Sequence, residues 1–135
     1  MRITATAVSL TVDDVRASSD FLVRHLGFRE DMAADGFASL SREDAGANVV
    51  FLRTGMPTLP PEQRHPVSGG VILAFVVEDL EGELARLENE DVEITMPLTS
   101  EEWGERAFQI KDPNGVVLQL VDWNAPSAEP PALRA

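Results

Sequence analysis

The chain has 135 residues, 44% of them hydrophobic, a formal net charge of −12, a sequence pI of about 4.4 and no cysteine. That length suits one compact domain with a sizeable core. The acidic balance repels a polyanion and so argues against nucleic acid as a partner, and the missing thiols exclude disulfides and zinc–thiolate sites. No run approaches the roughly 18 apolar residues of a membrane span, and Met1-Arg2-Ile3-Thr4 lacks the basic and apolar regions of a secretion signal. These features lead us to expect a cytoplasmic protein with no membrane partner.

Residues 3–12 alternate and are rich in β-branched side chains, which predicts a strand. Asp13 and Asp14 then offer a helix cap. The apolar spacing of Val15, Phe21, Leu22 and Leu26 predicts a helix over 15–26, stopped by Gly27. Three short strands are expected over 28–32, 37–42 and 48–53. The turn Asp44-Ala45-Gly46-Ala47 joins the last two as a hairpin. Residues 55–70 carry four prolines and three glycines and read as a linker with neither strand nor helix.

The second half follows the same plan. A strand is expected over 71–77, and a helix over 80–90 with Leu80, Leu84 and Leu87 on one face. Strands follow over 92–96, 106–111 and 116–122, the last two joined by Asp112-Pro113-Asn114-Gly115. From residue 124 the sequence reads as a mobile tail. The expected organisation is a unit over 1–54, a linker over 55–70, a second unit over 71–123 and the tail over 124–135.

The two halves echo one another. Ala7–Val15 matches Ile72–Leu80, and Asp79 minus Asp14 gives an offset of 65. Asp44–Leu52 matches Asp112–Leu120 at an offset of 68. The reading is therefore a duplicated βαβββ unit of the α+β class. Two curled mixed sheets would face a central trough lined by alternate residues of each strand.

On these motifs the chain resembles the vicinal oxygen chelate superfamily, which includes glyoxalase I, the extradiol dioxygenases and the bleomycin-resistance proteins. The resemblance covers residues 3–123. It rests on Val12-Asp13-Asp14, Leu26-Gly27-Phe28, Val77-Glu78-Asp79-Leu80, Trp103-Gly104-Glu105-Arg106 and Asp112-Pro113-Asn114-Gly115, in that order. It implies the glyoxalase/bleomycin-resistance fold and a homodimer. It also implies metal ligands at matching places on the first and last strands of each half, where the repeat puts Ala7, Ile72, Phe51 and Gln119. Ala, Ile and Phe cannot coordinate a divalent ion, and a catalytic site needs about three protein ligands. The expectation is thus no metal and no cofactor. His25 and His65 have no partner at ligand spacing.

Candidate ligand-binding residues follow from the same strands. Trp103 stands either at a cavity mouth or in the core, and Phe51 reads as pocket wall. Arg53 alternates onto the face of Phe51, while Gln109 is expected across the hairpin from Gln119. These three polar residues face either a ligand or one another. Ala7 and Ile72 complete the set, with Phe37 and Trp123 as further aromatic candidates that read more readily as core. The acidic pairs Asp13-Asp14 and Glu78-Asp79 read as helix caps with no catalytic role. No Ser-His-Asp set, P-loop or dinucleotide fingerprint is present. The first functional reading is a metal-independent protein that sequesters an aromatic or cationic small molecule. The alternatives are a glyoxalase- or dioxygenase-type metalloenzyme with an unconventional ligand set, or a dimeric interaction module.

Overall fold

A computed structural model describes residues 1–66 and 69–123. The expected tail over 124–135 lies outside the described residues. Ten regular elements follow in order: β1 (Ala7–Val12), α1 (Val15–Leu26), β2 (Arg29–Ala34), β3 (Phe37–Ser41), β4 (Asn48–Arg53), β5 (Ile72–Val76), α2 (Leu80–Asn89), β6 (Ile94–Ser100), β7 (Glu105–Lys111) and β8 (Val117–Trp123). The chain divides into two compact units. Among the described residues, one takes in Met1–Val71 and the turn Asp112–Val116; the other takes in Ile72–Lys111 and Val117–Trp123.

Both units obey one plan. The sheet orders are β1-β4-β3-β2 and β5-β8-β7-β6, so each unit is a βαβββ motif. In each, the first strand runs parallel to the fourth and the remaining pairs are antiparallel. The parallel pair needs a crossover, and the helix supplies it. The acidic pairs serve as the caps expected of them. Asp14 accepts a hydrogen bond from the Ala17 N–H at 3.1 Å, and Asp79 accepts one from Gly82 at 3.0 Å. Gly27 ends α1 with φ of 69°, a left-handed conformation that glycine adopts without penalty.

Most of the core lies on the helix side of each sheet. In the first unit Leu10, Ala38, Leu40, Val49 and Phe51 are buried with Leu22 and Leu26 of α1. In the second, Phe108, Ile110, Leu118 and Leu120 are buried with Leu80 and Leu87 of α2. Burying each such large side chain contributes about 1.5–3 kcal/mol.

Three segments depart from the sequence reading. β1 begins at Ala7 because its parallel ladder starts with the pair Ala7–Asn48. β6 runs on to Ser100 through Pro97, which is tolerated because β6 is an edge strand whose pairing with β7 is already irregular on both sides of Met96. The described residues of the segment read as a linker belong to the first unit and carry a 3₁₀ turn at Pro61–Gln63. Gly55 donates to the Arg64 carbonyl at 2.9 Å, and Arg64 Nε donates to the Leu59 carbonyl at 2.7 Å. Thr11 Oγ1 donates to the Gln63 carbonyl at 3.3 Å.

The Asp-Pro-Asn-Gly turn is more than a hairpin turn, because it clasps α1. Asp112 is 4% exposed, and its carboxylate accepts from the Ser18 hydroxyl and from the N–H groups of Asn114 and Val116. Asn114 receives the Asp14 N–H at 3.1 Å and donates to the Asp14 carbonyl and to Ser18 Oγ, both at 2.7 Å. A buried carboxylate is tolerated only with its lone pairs occupied, and here they are.

Candidate functional site

In a strand, side chains alternate between the two faces, so the residues turned away from the helix follow directly from the register. In the first unit they include Ala7 on β1, Val50 on β4 and Phe37 on β3. In the second they include Ile72 and Val76 on β5, Gln119 and Trp123 on β8, and Glu105 and Gln109 on β7. These faces are the candidate binding surfaces. Ile72 and Val76 are 51% and 54% exposed, on the edge strand of their sheet.

The register corrects one sequence expectation. Ala7 pairs with Asn48 in the first unit, and Ile72 pairs with Val117 in the second. The two last strands therefore correspond at an offset of 69 (117 − 48), and the counterpart of Gln119 is Val50. Phe51 pairs with Leu10 and is 0% exposed, buried against the helix side. The expected pocket wall is core. The slip arises in the turns. β8 starts five positions after Asp112 and β4 four positions after Asp44, and a one-residue shift moves a side chain to the opposite face.

The corrected quartet is Ala7, Val50, Ile72 and Gln119. Ala7 and Val50 in the first unit and Ile72 in the second have no side-chain donor atom for a divalent cation, and Gln119 alone of the four offers one. Among the described residues, no three His, Cys, Asp or Glu side chains converge as a metal site. The His25 ring lies 4.8 Å from that of Phe21, tilted by 57°.

Gln109 and Gln119 are direct cross-strand partners, as expected, and Gln109 Nε2 donates to Gln119 Oε1 at 2.7 Å. That bond leaves the Gln109 carbonyl and the Gln119 amide hydrogens to serve other partners. Arg53 belongs to the first unit, at the end of β4, where its guanidinium binds Asp35 Oδ1 at 2.7 Å. It lines an open cleft of about 430 Å³ with Asp13, Arg16, Asp35 and Phe37. Phe37, read as core, is a half-buried wall of that cleft.

Trp103 is not core. It stands in the turn before β7, 54% exposed, and its indole N–H donates to Glu105 Oε1 at 3.2 Å. Glu105 pairs with Trp123 across the β7–β8 ladder. The Trp123 indole N–H is buried and is the one buried side-chain polar atom without a hydrogen-bond partner among the described residues. Sequence reasoning passed over Glu105 and read Trp123 as core. Counting back in twos from Gln109 puts Glu105 on the face turned from α2, and counting on from Gln119 puts Trp123 there.

On the opposite face Arg106 is held by four hydrogen bonds to two carboxylates. Its Nε donates to Asp122 at 2.9 Å, its Nη1 donates to Glu81 at 2.8 Å, and its Nη2 donates to Glu81 at 3.0 Å and also reaches Asp122. Hydrogen bonding to Asp122, then to Glu81, raises the guanidinium pKa further above its ordinary value. Hydrogen bonding from Arg106 in turn holds the Glu81 carboxyl below its own.

A βαβββ pair with these turns defines a protein class, and the sequence carries its signature. The model of the Glyoxalase/Bleomycin resistance protein/Dioxygenase superfamily matches residues 3–120, and the chain belongs to that superfamily. Among solved structures it is similar to a glyoxalase/bleomycin resistance protein/dioxygenase from Nocardioides, at 20% identity and TM-score 0.78, covering 96% of this chain and 89% of that one. TioX from Micromonospora sp. ML1 follows at 25% identity and TM-score 0.67, covering 90% and 99%. A lactoylglutathione lyase from Agrobacterium tumefaciens shares 15% identity at TM-score 0.70, covering 90% and 94%. No curated protein matches the sequence significantly.

Proposed function

We propose that this protein is a metal-independent small-molecule binder that sequesters an aromatic or cationic compound. The observation that carries the reading is the corrected quartet Ala7, Val50, Ile72 and Gln119, three of which have no atom to offer a metal ion. Without an ion there is no Lewis acid to polarise a carbonyl or generate hydroxide. What the strand faces offer instead is apolar and aromatic surface with a few polar groups: Ile72, Val76, Trp103, Trp123 and the Gln109–Gln119 pair. Such surfaces bind by burial and stacking, with hydrogen bonds fixing orientation. The net charge of −12 favours approach of a cation.

As part of the same proposal, the protein acts in the cytoplasm as a homodimer. Exposed Ile72 and Val76 on the edge strand β5 support the second point, because an apolar unpaired edge invites a partner. Sedimentation at micromolar concentration should give twice the chain mass. Among the described residues no helix is long and apolar enough to cross a membrane.

The test is a thermal-shift panel of aromatic and cationic compounds run in EDTA. A ligand at about 100 times its Kd stabilises the native state by about 2.7 kcal/mol, which is several degrees for a chain of this size. Shifts that appear in EDTA support sequestration. A panel in which nothing shifts the melting temperature overturns it.

A further inference from the structure

We propose that Trp103, Glu105 and Trp123 form a recognition site for an organic cation, an ammonium-bearing compound with a hydrogen-bond acceptor near its charge. The proposal rests on the small-molecule-binding reading and assigns a ligand chemistry to one place on the second unit. Three observations meet there. Trp103 leaves 54% of a large apolar side chain exposed, yet its indole is tethered to Glu105 by a 3.2 Å hydrogen bond. Glu105 has no ion-pair partner among the described residues, since its neighbour Arg106 is committed to Asp122 and Glu81 on the other face. Trp123 stands directly across the ladder from Glu105 and holds a buried N–H with no acceptor among the described residues.

The chemistry of these groups specifies the ligand. Directly paired residues on an antiparallel ladder have Cβ atoms about 4.5–5.5 Å apart, so Glu105, bonded to the Trp103 indole, is the direct ladder neighbour of Trp123 on one face of the sheet. A carboxylate with no counter-ion attracts a cation. An indole face attracts the same cation through its quadrupole, most strongly for Trp among the aromatics. The Trp123 N–H can only donate, so it selects an ether, carbonyl or hydroxyl oxygen on the ligand. A buried donor left unpaired is costly, and a ligand oxygen there relieves that cost. An inorganic metal ion is a poorer fit, because one carboxylate supplies too few ligands.

The chain has only two tryptophans, and both lie in this site. Intrinsic fluorescence therefore reports its occupancy directly. The experiment titrates the full chain with benzyltrimethylammonium and with benzyl alcohol as the neutral control, for wild type and Glu105→Gln. The amide retains the acceptor for the Trp103 N–H and removes only the charge, and circular dichroism confirms its fold. The expected result is saturable quenching by the cation, weakened about tenfold in Glu105→Gln, with the neutral control unchanged by the substitution. Trp123→Phe should leave benzyltrimethylammonium affinity within about twofold yet weaken an acceptor-bearing analogue such as acetylcholine. If other panel compounds shift the melting temperature while the cation binds equally to wild type and Glu105→Gln, or not at all, this site is overturned and sequestration stands. If no compound binds, both readings fall.

Discussion

Replacing Phe51 by alanine should be among the most damaging single changes in the first unit, and replacing its neighbour Val50 should not. Phe51 is 0% exposed and packs on the helix side of β4 beside Leu10, Ala38 and Val49, all buried. A phenylalanine side chain buries about 150–250 Å². At about 25 cal/mol per Å², most of that area is worth some 4 kcal/mol, in line with the roughly 3–5 kcal/mol that Phe→Ala costs in cores. Val50 points the other way and is only half-buried. Its truncation should cost about 1 kcal/mol. Urea denaturation followed by circular dichroism measures both. With total stability of the usual 5–15 kcal/mol, Phe51→Ala should shift the midpoint by 1 M or more at an m-value of about 1–3 kcal/mol/M. Equal losses for the two variants, or a smaller loss for Phe51→Ala, would refute the register and return Phe51 to the binding face.

Asp112→Ala should destabilise the chain by about 3 kcal/mol, because it strands the Ser18 hydroxyl and two backbone N–H donors at roughly 1 kcal/mol each; thermal unfolding reads the loss, and Asp112→Asn should recover most of it. The Glu81 carboxyl is held below its ordinary value of 4.5, first by the hydrogen bond from Arg106. A depressed carboxyl contributes stability that is present above the unfolded value and lost as pH falls through the folded one. Stability should therefore drop as pH falls below about 4.5, and Glu81→Gln should show a shallower drop across that window in pH-dependent denaturation. A steeper fall in the variant would contradict the assignment.

Much of this fold was legible because local signals agree with one another. Asp14 and Asp79 cap their helices and Gly27 stops the first, as their residue types signal. The cross-strand pair Gln109–Gln119 was readable from one turn and a period of two. The face of Phe51 was not. It depends on a single residue of turn length between Asp44 and Asn48, and repeat matching by acidic turn residues hides that difference. Nor did the 55–70 segment announce itself as part of the first unit. Its prolines rule out a ladder, but the bonds from Gly55, Arg64 and Thr11 that fix it are long-range or irregular. Glu105 went unread because a surface glutamate is ordinarily solvated. Only the pairing of Arg106 on the far side and the orphaned Trp123 N–H single it out.

We propose that the superfamily's metal positions lack a donor set in this chain and that it binds a small molecule without an ion. Elemental analysis tests it most directly, on protein incubated with nickel, zinc, manganese and iron(II) and then desalted. The quartet Ala7, Val50, Ile72 and Gln119 predicts well below about 0.1 ion per chain for each metal. Retention of about one ion per chain would contradict that assignment and make a metalloenzyme the leading reading.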